Sequence, residues 1–168
     1  PPGGRRRIAV PRHISRFYIP LPVIEATDRF MRAYGNEERE CYVWWCGYFT
    51  PCGAGQVVTA VCPKLQTDYG RIELTSTDLI SLHNRLRSLD QVLLMELHTH
   101  PPGAGGQNAV DAAHAAAAYP GFISIVVPDF ARNRFYDLRR THVYEYGGRG
   151  DWDELTPAQI QQRFVIEE

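Results

Sequence analysis

A chain of 168 residues is long enough for one domain with a core of its own and short for two. A formal net charge of -1 with 44% hydrophobic residues excludes the strongly basic surface that binds nucleic acid or an anionic membrane. No apolar run nears the roughly 20 residues of a membrane-spanning helix. Arg5, Arg6 and Arg7 form a short basic start that reads as a solvated terminus. Cys41, Cys46, Cys52 and Cys62 contain no C-x-x-C pair. They read as reduced, mostly buried thiols, which favours the cytoplasm over a secreted disulfide scaffold.

In chain order, Arg7–Ile19 alternates loosely and predicts one strand or a pair of strands, broken by Pro20 and Pro22. Val23 to Arg39 has helical spacing, with Pro22 suited to a first turn and Gly35 and Asn36 weakening the end. Cys41–Phe49 is aromatic and β-branched and predicts a buried strand. A turn over 51–55 leads to a hairpin partner, Val57–Cys62. Ser76–Ser88 predicts a helix with Leu79, Leu82, Leu86 and Leu89 inward. Gln91–His100 predicts a strand, followed by a Pro/Gly loop over 101–106 and an alanine-rich helix over Asp111–Tyr119. Phe122–Val127 is an apolar strand, Arg134–Tyr146 a further strand or hairpin, and Pro157–Phe164 a short helix opened by Thr156. Strands and helices mixed in one unit indicate an α/β or α+β fold.

The chemistry sits in His98-Thr99-His100-Pro101 and Asp111. Histidines at i and i+2 on a strand face the same way, so both rings can reach one ion. The loop then returns the chain, and Asp111 arrives at the start of a helix. Two nitrogens and one carboxylate, with a fourth position open, suit a catalytic zinc better than a structural one. Glu96 shares the strand face of the histidines and is a rival base or an orienting group. His114, one helical turn after Asp111, is read as an ordinary helix residue.

His98-x-His100-x10-Asp111, with Glu40 upstream and Gly47 seven residues beyond it, resembles the JAMM (MPN-plus, JAB) family of zinc metallopeptidases. The strand near Cys62-Pro63, the helix Thr77–Ser88 and the strand Ile123–Pro128 follow in the family's order, so the resemblance spans roughly residues 20 to 130. It implies a single MPN domain over residues 1–168, a mixed curved sheet flanked by helices with cytidine-deaminase-like layering. It implies one zinc ion on His98, His100 and Asp111, with Glu40 as the general acid and base. Asn108 stands where the family has a serine that helps hold the oxyanion; its side-chain N–H can serve as such a donor.

The resemblance further implies cleavage after the C-terminal glycine of a ubiquitin-like protein. The partners it implies are that protein, its conjugates, and the E1-like and E2-like proteins of a bacterial conjugation operon, in some cases antiviral. The tail is expected to lie along edge strands and the loop over 101–107. Three other readings stand beside it: release of an adduct from a sulfur-carrier protein, a RadC-like protein, and a non-catalytic scaffold, the last disfavoured because Glu40, His98, His100 and Asp111 are all present. A zinc deaminase would need a downstream cysteine pair, which the sequence lacks.

Overall fold

The computed structural model describes residues 10–63, 66–69, 71–73, 75–133 and 135–168. Its centre is an eight-stranded mixed sheet that curls, with helices on both faces. In chain order the strands are β1 (Phe17–Pro20), β2 (Tyr42–Phe49), β3 (Gly55–Val61), β4 (Gln66–Asp68), β5 (Arg71–Glu73), β6 (Val92–Thr99), β7 (Ile123–Val127), β8 (His142–Gly148), β9 (Asp151–Glu154) and β10 (Phe164–Glu167). The helices are α1 (Leu21–Gly35), α2 (Ser76–Ser88), α3 (Ala109–Ala113) and α4 (Pro157–Arg163). The sheet order is β10-β1-β3-β2-β6-β7-β8-β9, and β4 and β5 form a separate hairpin.

Alternation along the strands divides the core in two. Val43, Trp45, Leu97, Ile125 and Val143 face α1 and α4, where Val23, Ile24, Met31 and Ile160 meet them. Tyr42, Trp44 and Cys46 face the other way, onto Leu82 and Leu86 of α2. Neighbouring tryptophans therefore both fill core, one on each side. The alternation is phased by a bulge: Trp45 pairs with Met95 but Cys46 pairs with Leu93, so Leu94 is unopposed. That extra residue lets Leu93, Glu96 and His98 share the α2 side while Leu94 and Met95 both enter the α1 side. Gly47 lies at the matching irregularity between β2 and β3. A Cβ there would sit 1.8 Å from the Gln56 carbonyl oxygen, so the close approach admits only glycine.

Several boundaries differ from the sequence expectation. Within Arg7–Ile19 only Phe17–Pro20 is strand; residues 10–16 hold no regular element, and 7–9, like the basic start, lie outside the described residues. Helix α1 stops at Gly35 rather than Arg39, because Gly35 abuts the Phe130 backbone and Glu38 adopts a positive φ. Leu89 is 49% exposed: it is the C-cap of α2, past the inward stripe. The alanine-rich helix ends at Ala113, not Tyr119, because the Ala116 N–H is taken by the Glu96 carboxylate at 2.6 Å and is lost to the helical ladder. Arg134–Tyr146 is strand only from His142, after a 3-10 turn at Leu138–Arg140; Arg134 itself lies outside the described residues. Cys52 is exposed rather than buried, since it sits in the turn between β2 and β3. Strands β4, β5, β9 and β10 are not anticipated by periodicity. They are short, and β10 exists because it lies parallel to β1.

A buried polar clasp joins α1 to the sheet. The Trp45 indole N–H donates to Thr27 Oγ1 at 2.7 Å, and that hydroxyl donates to the Val23 carbonyl at 2.8 Å. Thr27→Val keeps the shape but strands the indole N–H. Unfolding by denaturant is expected to show a loss of about 1–3 kcal/mol, with Thr27→Ser near wild type.

Candidate metal centre

The site lies on the α2 side of the sheet, at the end of β6. Tyr42 pairs with His98, and one step further Cys41 and Thr99 are joined twice. The Thr99 N–H donates to the Cys41 carbonyl at 3.0 Å, and the Cys41 N–H donates to Thr99 Oγ1 at 2.8 Å. Continuing the antiparallel register puts Glu40 opposite His100 and on the same side of the sheet as His98. Asp111 comes from α3. Asn108 caps that helix: its Oδ1 accepts from the Val110 N–H at 2.7 Å and the Asp111 N–H at 3.1 Å. The Asn108 N–H donates to Asp111 Oδ2 at 2.8 Å, a reciprocal capping box that fixes the aspartate at the third helical position.

Three ligand atoms converge. His98 Nε2 and His100 Nε2 are 3.2 Å apart; Asp111 Oδ2 is 3.6 Å from the first and 3.3 Å from the second. An ion bound tetrahedrally at about 2.0–2.1 Å needs donor–donor edges of about 3.3–3.4 Å, so the triangle has the size of one face of such a shell. Among the described residues the three side chains form a group that could hold a metal ion. The His100 tautomer agrees with this. His100 Nδ1 lies 3.0 Å from the Gly105 carbonyl, an acceptor only, so Nδ1 carries the proton and the neutral ring turns a lone pair at Nε2 toward the triangle.

The same groups also attract protons, which compete with a metal for these donor atoms. Burial alone would raise the Asp111 carboxyl, but bonds from His100 and His98 outweigh it and hold it far below the usual carboxylate range. Burial would lower His100; the hydrogen bond to Asp111, the Gly105 carbonyl and the nearby carboxylates overcome it and raise it. Burial pushes the Glu40 carboxyl up, against the opposing pull of His100 and His98.

Glu96 is 1% exposed, and one of its carboxyl oxygens is doubly engaged. Its Oε2 accepts from the Tyr42 hydroxyl at 2.5 Å and from the Ala116 N–H at 2.6 Å. The Tyr42 ring stacks on His98, centroids 6.0 Å apart and planes 14° from parallel. Glu96 thus orients the His98 ring through Tyr42. Glu40, by contrast, makes no hydrogen bond among the described residues and borders the same cavity as the ligands.

That cavity, about 220 Å³, is lined by Glu40, Tyr42, Ile72, His98, Asn108 and Val110 together with the other ligands, Glu96 and His114. All five site residues read from the sequence (Glu40, His98, His100, Asn108 and Asp111) border it. His114 borders it but is outside the ligand triangle. Sequence reasoning did not find Tyr42, Thr99 or Ile72. Tyr42 had a signal, being two residues from Glu40 on a strand; Ile72, on the β4–β5 hairpin, had none.

No family model matches the chain. It is 26% identical over 153 residues to a Sinorhizobium fredii (strain NBRC 101917 / NGR234) protein named "Probable metalloprotease y4jG", covering 88% of this chain and 92% of the relative. The solution structure of protein DSY2949 from Desulfitobacterium hafniense matches with a TM-score of 0.63 at 13% identity, over 90% of this chain and 93% of that one. The two share a fold. No helix among the described residues is long and apolar enough to cross a membrane.

Thr99→Val, between the two histidines, removes the acceptor of the buried Cys41 N–H. It is expected to weaken metal affinity about 10- to 100-fold in competition with a chelator, while Thr99→Ser retains it.

Proposed function

We propose that this protein is a zinc-dependent peptidase of the JAMM (JAB) type, one MPN domain over residues 1–168. In this reading it cleaves after the C-terminal glycine of a ubiquitin-like protein. The observation that carries the reading is the triangle of His98, His100 and Asp111 sharing one cavity with Glu40, which is buried and has no hydrogen bond among the described residues. The likeness to a protein named probable metalloprotease supports peptidase activity in general.

His98, His100 and Asp111 would hold the ion, which when bound supplies a Lewis acid for the scissile carbonyl and a more acidic water. Glu40 takes a proton from the attacking water and returns it to the leaving amine as the C–N bond breaks; a carboxyl raised by burial is suited to holding that proton between the two transfers. Capping occupies Asn108 Oδ1, so its Nδ2 donors are the ones left to stabilise the carbonyl oxygen as it gains charge. The cavity volume of about 220 Å³ is under the about 300–1,000 Å³ typical of small-molecule pockets, which suits a substrate without side chains at the cleavage point. Ile72 and Val110 supply apolar walls for the approaching tail. The E1-like and E2-like proteins of a conjugation operon are the expected companions, and the four free cysteines accord with a cytoplasmic site of action.

The test uses ubiquitin-like fusions ending in Gly-Gly. Glu40→Gln is expected to keep a full complement of zinc and lose at least about 100-fold in kcat. Chelation should abolish cleavage and zinc restore it. Cleavage that proceeds unchanged in the metal-stripped protein sinks the reading.

A further inference from the structure

Two thiols lie behind the metal centre. Cys41 Sγ and Cys62 Sγ are 4.0 Å apart, and both are free. Cys41 is fully buried in the α1-side core, while Cys62 packs against that core half-buried. Trp44 pairs with Val61 across β2 and β3; one step on, Cys62 falls opposite Val43. Cys41 and Cys62 are therefore diagonal neighbours on one face, within side-chain reach.

Cys41 is mechanically placed. It follows Glu40 directly, and its backbone N–H and carbonyl are both bonded to Thr99, the residue between His98 and His100. A disulfide has an S–S length of about 2.05 Å, so bond formation draws the sulfurs together by about 2 Å. In a close-packed interior that displacement is passed on to the neighbours, and here the neighbours are Glu40 and Thr99.

We propose that Cys41 and Cys62 form a modification site: hydrogen peroxide oxidises them to a disulfide, which displaces Glu40 and Thr99 and switches the metal centre down. The effect on cleavage rests on the peptidase reading; the modification itself does not. The Cys62 thiolate attacks the peroxide oxygen, the O–O bond breaks, water leaves after protonation, and Cys62 becomes a sulfenic acid. The Cys41 thiol then attacks that sulfur; the S–S bond forms, the S–O bond breaks and a second water leaves. Two thiols lose two electrons and one peroxide is reduced. The hydrogen bond from Cys41, aided by Tyr34 and opposed by burial, holds the Cys62 thiol below its ordinary value, which makes Cys62 the attacking partner.

The experiment treats the zinc-loaded full chain and Cys62→Ser with hydrogen peroxide, then alkylates, digests without reduction and maps by mass spectrometry. A Cys41–Cys62 cross-linked peptide is expected, with exposed Cys52 as the control for non-specific oxidation. Zinc transfer to a chromogenic chelator should accelerate about tenfold or more, cleavage should fall in parallel, and a dithiol reductant should reverse both. Cys62→Ser should be indifferent to the treatment. Oxidation at Cys52 with no Cys41–Cys62 link overturns the proposal, and so does a link that leaves zinc release unchanged. A reduced protein that cleaves no tail counts against the peptidase reading alone, because linkage and zinc release are read without substrate.

Discussion

A carboxylate with no access to water must be satisfied by the protein, and the Glu96 carboxylate is satisfied by groups from two other segments. The Tyr42 hydroxyl comes from β2 and the Ala116 N–H from the chain beyond α3. Leaving either unmade would cost a buried, partly charged group its hydrogen bond in a low-dielectric interior. The consequences spread from there. Tyr42 is held where its ring can face His98. The chain after Ala113 is pulled out of helix, so α3 is a single short turn carrying Asp111 inward. Both the orientation of one candidate ligand and the delivery of another depend on this one buried acid.

The centre is otherwise assembled by ordinary secondary-structure rules. Strand alternation faces His98 inward and register brings Glu40 to the same place. A capping box, in which Asn108 and Asp111 satisfy each other's backbone, fixes the angle of the third ligand. The bulge at Leu94 is the hinge of the whole pattern: without it, the strict period of two would place Leu93 and Glu96 on opposite faces. Gly47 serves the separate irregularity between β2 and β3, where the Gln56 carbonyl passes too close for a Cβ, which gives a steric reason for a glycine seven residues after Glu40.

The coupling between sheet and site runs both ways. Cys41 and Thr99 exchange two hydrogen bonds across β2 and β6, so the position of Glu40 and the geometry of the two histidines are parts of one ladder. The Cys62 side of that ladder is half-open to solvent. A chemical event at the rim of β3 therefore has a short covalent and hydrogen-bonded path to the reacting groups, three residues in all.

How much was legible in the sequence depends on whether the cause was local. The H-x-H pair, the spacing to Asp111, the helix Ser76–Ser88 and the buried aromatic strand were legible because period and capping are properties of neighbours in sequence. The short strands β9 and β10, the hairpin β4–β5, and the early end of α3 were not, because each exists through a partner far along the chain: β10 through β1, and the end of α3 through Glu96. The sequence by itself determined which residues could bind a metal and that two of them share a strand face. Only the tertiary structure decided that three donor atoms close to within 3.2–3.6 Å, that Glu96 is spent as an anchor while Glu40 borders the cavity with no hydrogen bond among the described residues, and that a pair of thiols sits against the same ladder. Those are distances between segments, set by packing and by the partners that groups such as Glu96 and Thr99 find across the sheet.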